Sequence, residues 1–143
     1  MVPPGKYTAR LSNGDWSSTV ELDVVMDPRV AAEGISVADV RAQAALSLSV
    51  RDTYSAANHA VARISEATAT LGDDLPAELR EIRDALEDSP RRYTPVMLVS
   101  QLQYLYDNLN RADQRPSGDA IARHDQLKAE LDGHLEELER LFW

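Results

Sequence analysis

The apolar residues in the middle of this 143-residue chain recur at alternating steps of four and three. They are Val50, Tyr54, Ala57, Val61, Ile64, Thr68 and Leu71. This spacing is typical of a helix that packs one face into a bundle. Ser36 and Asp39 stand where a capping box would begin that helix, with Asp39 in place of the usual Glu. The pattern predicts a first helix of roughly 36 residues, about 54 Å long.

Two shorter helices are predicted in the segment that follows. Gly72-Asp73-Asp74 is expected to end the first helix, and a short helix is predicted from about Leu75 to Asp88. Thr94-Pro95 is then expected to restart a helix, because proline is favoured at the first helical position. Tyr93 and Leu98 are placed to form a hydrophobic staple across that start.

A last helix is predicted from Ser117, its expected N-cap, to Trp143. The second and third helices together would measure about 48 Å, nearly the length of the first. They can therefore run back along the first helix in tandem before the last helix returns. The predicted fold is mainly α, with an antiparallel three- to four-helix bundle over residues 35–143.

Two strand patterns near the N-terminus flank Asn13-Gly14. This dipeptide accepts the positive φ angles of a type I′ turn, so it predicts a β-hairpin. A two-residue turn there would place Tyr7 opposite Val20 and Leu11 opposite Trp16, all on one apolar face. The other face would be polar.

The second strand is expected to run past the end of the first. Leu22 and Val24 extend the apolar face, so half of the second strand would lack a partner. An isolated two-stranded hairpin is marginal in water, so this one is expected to lie on the helices, on another chain or in a larger sheet. We predict that residues 1–34 form the hairpin and a connector.

Composition excludes several classes of function. The absence of cysteine rules out disulfides, thiolate zinc sites and cysteine nucleophiles. A formal net charge of −9 repels phosphate on average, so nucleic-acid binding is not expected. No signal-peptide pattern and no apolar run near the roughly 20 residues that span a bilayer are found, so a soluble chain without membrane insertion is predicted. The compartment stays open: cytoplasmic if the chain is complete, exported if it belongs to a larger protein.

Two histidines on the last predicted helix, His124 and His134, are the sharpest candidates for a chemical site. Glu130 precedes His134 by one turn, and a Glu/His pair at helical spacing can bind a divalent metal or transfer a proton. Bundle metal sites need ligands from several helices, and the first and third helices offer no inward Glu-x-x-His. We therefore expect no cofactor. A metal-dependent or glycosyl-hydrolase-related enzyme that uses His124, Glu130 and His134 is the alternative.

Four segments carry a resemblance to a known family. They are Pro3-Pro4-Gly5-Lys6-Tyr7-Thr8-Ala9-Arg10-Leu11, Met26-Asp27-Pro28-Arg29-Val30, Gln101-Leu102-Gln103-Tyr104-Leu105-Tyr106 and Ala112-Asp113-Gln114-Arg115-Pro116. Over nearly the whole chain, their order resembles the C-terminal region of BNR-repeat, sortilin-like β-propeller proteins often labelled glycosyl hydrolases. The resemblance implies propellers upstream, closing strands of a small β-sandwich, and a helical tail. The functional residues of the propellers have no counterpart here, so none is carried over.

These observations favour a non-catalytic structural or interaction module. The expected partner is protein, either the missing propeller and sandwich portion or a second copy of the chain. The predicted contact residues are Tyr7, Trp16, Val20, Leu22, Val24, Phe142 and Trp143. Because a helix end usually frays, the apolar pair Phe142-Trp143 is expected to pack on the hairpin or on a neighbouring subunit.

Overall fold

Helices make up most of the chain in the computed structural model, which describes residues 2–89, 91 and 93–142. The elements in order are β1 (Gly5–Asn13), β2 (Trp16–Val24), α1 (Pro28–Ala32), α2 (Val37–Leu71), a 3₁₀ turn (Gly72–Asp74), α3 (Ala77–Leu86), α4 (Leu98–Leu109) and α5 (Gly118–Leu141). The predicted fold class, mainly α with an N-terminal hairpin, is confirmed.

The predicted capping box begins α2. The Ser36 hydroxyl accepts a hydrogen bond from the Asp39 N–H, and the Asp39 carboxylate accepts one from the Ser36 N–H at 2.9 Å. These bonds satisfy backbone donors that a helix start leaves unpaired. Gly72 ends the helix with a φ of +55°, which glycine adopts at little cost. At 35 residues, α2 is about 52 Å long.

α2 belongs to an up-down-up bundle whose middle leg is interrupted, as predicted. Gln43, near the start of α2, is bonded to Gln114 just before α5, whereas Arg63 is paired with Glu139 near the end of α5. These contacts show that α2 and α5 run in the same direction, with α3 and α4 running back between them. The core consists of buried aliphatic side chains: Val50, Ala57, Ala60, Ile64, Leu75, Leu79, Ile82, Leu86, Leu98, Leu102, Leu105, Leu109, Leu127, Leu131 and Leu138.

The third predicted helix begins later than expected. α4 starts at Leu98 with Met97 as its N-cap, so Thr94-Pro95 is not a helix start. Asp88 supplies the physical reason, because its carboxylate accepts bonds from the Met97 N–H at 2.6 Å and from the Ser100 hydroxyl at 2.7 Å. These donors hold the pKa of the Asp88 carboxyl below its usual range. A residue from across the loop therefore fixes the start of α4.

Tyr93 does not form the predicted hydrophobic staple with Leu98. The Tyr93 ring is fully exposed and its backbone has a φ of +64°, whereas Leu98 is buried in the core. A staple requires the residue just before the N-cap. Because the helix begins only at Leu98, Tyr93 lies too far from its start.

Polar side chains occupy part of the buried face of α2. Gln43, Ser47 and Thr53 are at most 7% exposed, although the apolar spacing predicts none of them in the core. Tyr54, which the spacing predicts to be buried, is half-buried, and Leu71 is 44% exposed. The buried face of α2 therefore includes Thr53, whereas the neighbouring Tyr54 lies at its edge.

Gln43 joins α2 to the connection between α4 and α5. Its amide group donates to the carbonyl oxygens of Leu109 and Ala112, the second at 2.7 Å. Its side-chain oxygen accepts from the Gln114 N–H at 2.7 Å. The carbonyls that end a helix lack helical partners. A fully buried glutamine therefore supplies the partners that this connection needs.

An ion pair closes the same end of the bundle. The Arg115 guanidinium donates from Nε to the Asp39 carboxylate at 2.7 Å, and the Asp39 side chain is 14% exposed. Arg115, together with the Ser36 hydroxyl and N–H, holds the pKa of Asp39 well below its usual range. One carboxylate thus caps α2 and ties it to the start of α5.

The hairpin turn lies at Gly14-Asp15, one residue later than predicted. Gly14 has a φ of +57°, whereas Asp15 has no positive φ, which is the pattern of a type II′ turn. Tyr7 consequently pairs with Leu22 instead of Val20, a register shift of two residues. A shift of two keeps every side chain on its predicted face.

β2 is paired along its whole length, so the prediction that half of it lacks a partner is wrong. Val24 lies opposite Gly5, and Asp23 lies opposite Lys6 with an ion pair at 3.1 Å. Because the turn lies one residue later, β1 is longer and β2 begins later than predicted. Asp23 and Val24 therefore have partners in β1.

Replacing Gln43 by leucine should lower the free energy of unfolding by about 2 to 4 kcal/mol, because buried backbone groups would lose their partners. Urea denaturation measures this loss. The matched control, Gln103→Leu at an exposed position on α4, should change the same quantity by less than about 0.5 kcal/mol. Equal effects of the two substitutions would contradict the role given to Gln43.

Replacing Asp39 by asparagine should lower the urea midpoint at pH 7, and the difference from the wild type should shrink as the pH falls below about 4. A carboxyl whose pKa is lower in the folded state stabilises the fold above its unfolded pKa of about 3.9 and loses that contribution in acid. The exposed Asp107 has no ion pair among the described residues, and Asp107→Asn should show no such loss at pH 7. A pH-independent difference for Asp39→Asn would refute the ion-pair account.

Candidate interaction surface

The arm, residues 5–24, carries its apolar side chains on one exposed face. The apolar side chains Tyr7, Ala9, Leu11, Trp16, Val20 and Leu22 form this arm face, and the polar Asn13 and Ser18 lie on the same side of the sheet. The exposed fractions are 67% for Leu11, 57% for Val20, 55% for Trp16 and 48% for Leu22. Large apolar side chains that lie together on a surface mark an interaction site, whereas single ones do not.

The opposite face of the arm is polar. Lys6 pairs with Asp23, and the Arg10 guanidinium donates to the Ser17 hydroxyl at 3.2 Å. A sheet with one apolar and one polar face is typical of antiparallel strands covered on one side. The arm face therefore has the composition of a buried surface, yet no described residue covers it.

Among the residues that the structure describes, the arm approaches the bundle only at its base. Arg41 of α2 donates to the Pro4 carbonyl at 3.2 Å, and the Tyr7 hydroxyl donates to the Pro3 carbonyl at 2.6 Å. Among the described elements, no strand Cα lies within 8 Å of a helix Cα. A base groove separates arm and helix, lined by Gly5, Lys6 and Tyr7 on one side and Arg41, Ala45 and Leu48 on the other.

The structure places most of the predicted contact residues on this arm. Trp16, Val20 and Leu22 lie together on the arm face, and Tyr7 lies at its base, half-buried. Val24 is half-buried at the end of β2. Leu11 has the largest exposed fraction among the large apolar side chains of the arm face but does not belong to the predicted contacts, although its alternation with Tyr7 is visible in the sequence.

Phe142 lies at the far end of α2 from the arm. The guanidinium carbon of Arg63 is 4.7 Å from the Phe142 ring centroid, a cation–π contact, and Leu71 lines the same surface. Phe142 therefore does not lie against the hairpin of its own chain, because the arm meets α2 near Arg41. The other expected contact, with a neighbouring subunit, stays a prediction. The predicted contact of Trp143 lies outside the described residues.

His124 is held in a hydrogen bond between α5 and α2. It is 4% exposed, and its Nε2 lies 3.0 Å from Oγ1 of Thr53. The Thr53 hydroxyl also lies 3.0 Å from the Ser49 carbonyl, and it has one proton to donate. We therefore infer that the Thr53 hydroxyl donates to the Ser49 carbonyl and accepts a hydrogen bond from the Nε2 proton of His124. The Asp125 carboxylate is 4.0 Å from Nδ1, beyond hydrogen-bonding distance.

Glu130 and His134 are not brought to His124. Glu130 is exposed and His134 is half-buried on α5. At the rise of a helix, His124 and His134 are separated by about 15 Å along the axis, too far to bind one ion. In the part of the chain that the structure describes, no three His, Asp or Glu side chains form a group that could hold a metal ion. Chemistry at these residues remains a prediction.

Comparison with protein-family models, with curated proteins and with solved structures finds no match to this chain. Within the described residues, none of the helices combines the length and the apolar character that a membrane span requires.

The contact between Thr53 and His124 predicts non-additive stability changes. Thr53→Val should lower the free energy of unfolding by about 1 to 3 kcal/mol, because it leaves the buried Nε2 proton of His124 without an acceptor. His124→Leu should lower it by less, because the Thr53 hydroxyl keeps its hydrogen bond to the Ser49 carbonyl. The double variant removes both groups and should lose at least about 0.5 kcal/mol less than the two single losses combined. Urea denaturation of the four proteins gives the coupling, and additive losses would show that the bond has no net effect.

Proposed function

We propose that this chain is a non-catalytic interaction module, in which the helical bundle holds the arm and the arm face binds protein. The exposed arm face is the observation that carries this proposal. Leu11, Trp16 and Val20 are each more than half exposed on a sheet whose other face is polar. Two strands do not bury such a face by themselves, so a partner must supply the cover.

The character of the surfaces supports a protein as the partner. The arm face is apolar and the chain carries a net charge of −9, which disfavours the phosphate backbone of nucleic acids. The bundle is filled by its own aliphatic side chains, and His124 is engaged with Thr53. We infer that the bundle acts as a support and that binding falls to the arm.

The resemblance to the C-terminal region of BNR-repeat, sortilin-like proteins suggests one setting for this role. There, the arm would complete a small β-sandwich beside propellers, and the arm face would pack against a second sheet. Sheets that pack face to face lie about 10 Å apart and interdigitate apolar side chains. The six side chains of the arm face are suited to such a contact.

Site-specific crosslinking in the cells that make this chain tests the proposal. A photoreactive residue at Val20, on the arm face, should give a covalent adduct with a protein, because this side chain lies at the proposed contact. The matched control is Thr19, which is exposed on the polar face of the same strand and should give little adduct. Equal yields at both positions, or no adduct at Val20, would refute an interaction through the arm face.

A further inference from the structure

We propose that the partner of the arm face is a second copy of this chain. Two arms pack face to face and antiparallel, so that the tip of each arm enters the base groove of the other copy. This inference rests on the proposed function and names its partner. Three features of the arm support it: its matched strands, its area and the placement of its charges.

The matched strands make the arm suited to two-fold pairing. Each strand has nine paired residues, so the arm is about 30 Å long and ends evenly. A two-fold axis near its middle would pass by Ala9 and Val20, which lie opposite each other. The small Ala9 side chain lets two arms approach closely there. In this arrangement Leu11 and Trp16 of one copy lie over the base of the other.

The area of contact between the two copies favours the antiparallel arrangement over a parallel one. The arm face alone covers about 300 Å² per copy, well below the roughly 800 Å² per partner of a standard interface. An antiparallel pair adds two further contacts, because each tip also meets α2 at Ala45 and at Leu48, which is 49% exposed. A parallel pair would leave both base grooves empty. The antiparallel dimer thus comes closer to the about 1,000 Å² total that specific association needs.

Charges at the two ends of the arm are complementary. The turn at the tip carries one acidic residue, Asp15. Both charged residues that line the base groove are cations, Lys6 and Arg41. Lys6 already pairs with Asp23 in its own arm, whereas Arg41 donates to the neutral carbonyl of Pro4. We therefore assign Arg41 as the partner of Asp15 from the second copy. This local attraction opposes the general repulsion between two chains of charge −9.

Sedimentation of the purified full chain from about 1 μM to 1 mM tests this dimer, over the range in which weak interfaces associate. The expected result is a reversible monomer–dimer equilibrium that Trp16→Ser abolishes within this range. The matched control is Thr19→Lys on the polar face, which should leave the equilibrium unchanged. A chain that stays monomeric throughout, or a dimer that withstands Trp16→Ser, would overturn the proposal.

A charge exchange tests the antiparallel arrangement itself. Asp15→Arg and Arg41→Asp should each weaken dimerisation at least about five-fold, and the double variant should regain most of the loss, since opposite charges would again meet. Loss without recovery would overturn the arrangement. A merely damaged arm would not explain recovery, because Asp15 lies at the tip of the arm and Arg41 lies on α2 beside its base.

Tryptophan fluorescence gives an independent readout of the same contact. Trp143→Phe leaves Trp16 as the single tryptophan, and its emission should shift to shorter wavelength as the dimer forms. An unchanged emission across the dimerisation range would contradict burial of the tip. If the purified chain is monomeric while Val20 crosslinks to a different protein, the second copy is wrong and the interaction module stands. A monomeric chain without any Val20 adduct would overturn both the dimer and the interaction module.

Discussion

A two-stranded sheet cannot bury its own apolar face, so another part of the molecule or a partner must cover that face. In a sandwich, a second layer would cover Leu11, Trp16 and Val20. The helices that the structure describes do not cover them, because the arm approaches α2 at its base, beside the bond from Arg41 to the Pro4 carbonyl. The arm thus has the side-chain pattern of a buried sheet in an uncovered position.

The bundle does not need the arm to complete its core. α2 is long enough for α3 and α4 to lie along it in tandem, and α5 returns beside both. Aliphatic side chains from every leg meet in one cluster. At one end, Gln43 and the pair of Asp39 with Arg115 fix the connection into α5, and Thr53 bonded to His124 lies further along. These polar contacts define how the helices align, while the leucines supply most of the buried area.

Local signals predicted the elements that depend on local interactions. The apolar spacing predicted the existence of α2, α3, α4 and α5, whereas the five-residue α1 lies in the predicted connector. Ser36 and Asp39 predicted the start of α2, since capping acts within one turn. The start of α4 depends on Asp88 from another segment, which no local pattern reveals. The burial of Gln43 likewise depends on backbone groups far along the chain.

The hairpin shows the same division between local and distant information. Gly14 fits either a type I′ turn with Asn13-Gly14 as its central residues or a type II′ turn with Gly14-Asp15 as its central residues. The alternation of apolar and polar residues gave both faces correctly, because a shift of two residues preserves them. The later turn is favoured because it allows nine cross-strand pairs, and the residues of the turn alone do not reveal this. The arm face was therefore predictable from the sequence, whereas its register was not.

Hydrogen exchange followed residue by residue at two protein concentrations tests most directly whether the arm depends on an external cover. The amides of α2, α4 and α5 should exchange slowly at both concentrations, because their helices share one buried core. The amides of β1 and β2 should exchange much faster in dilute protein and slow down as the concentration rises. Arm amides that exchange as slowly as those of the core helices in dilute protein would contradict this account, since the chain would then stabilise its own arm.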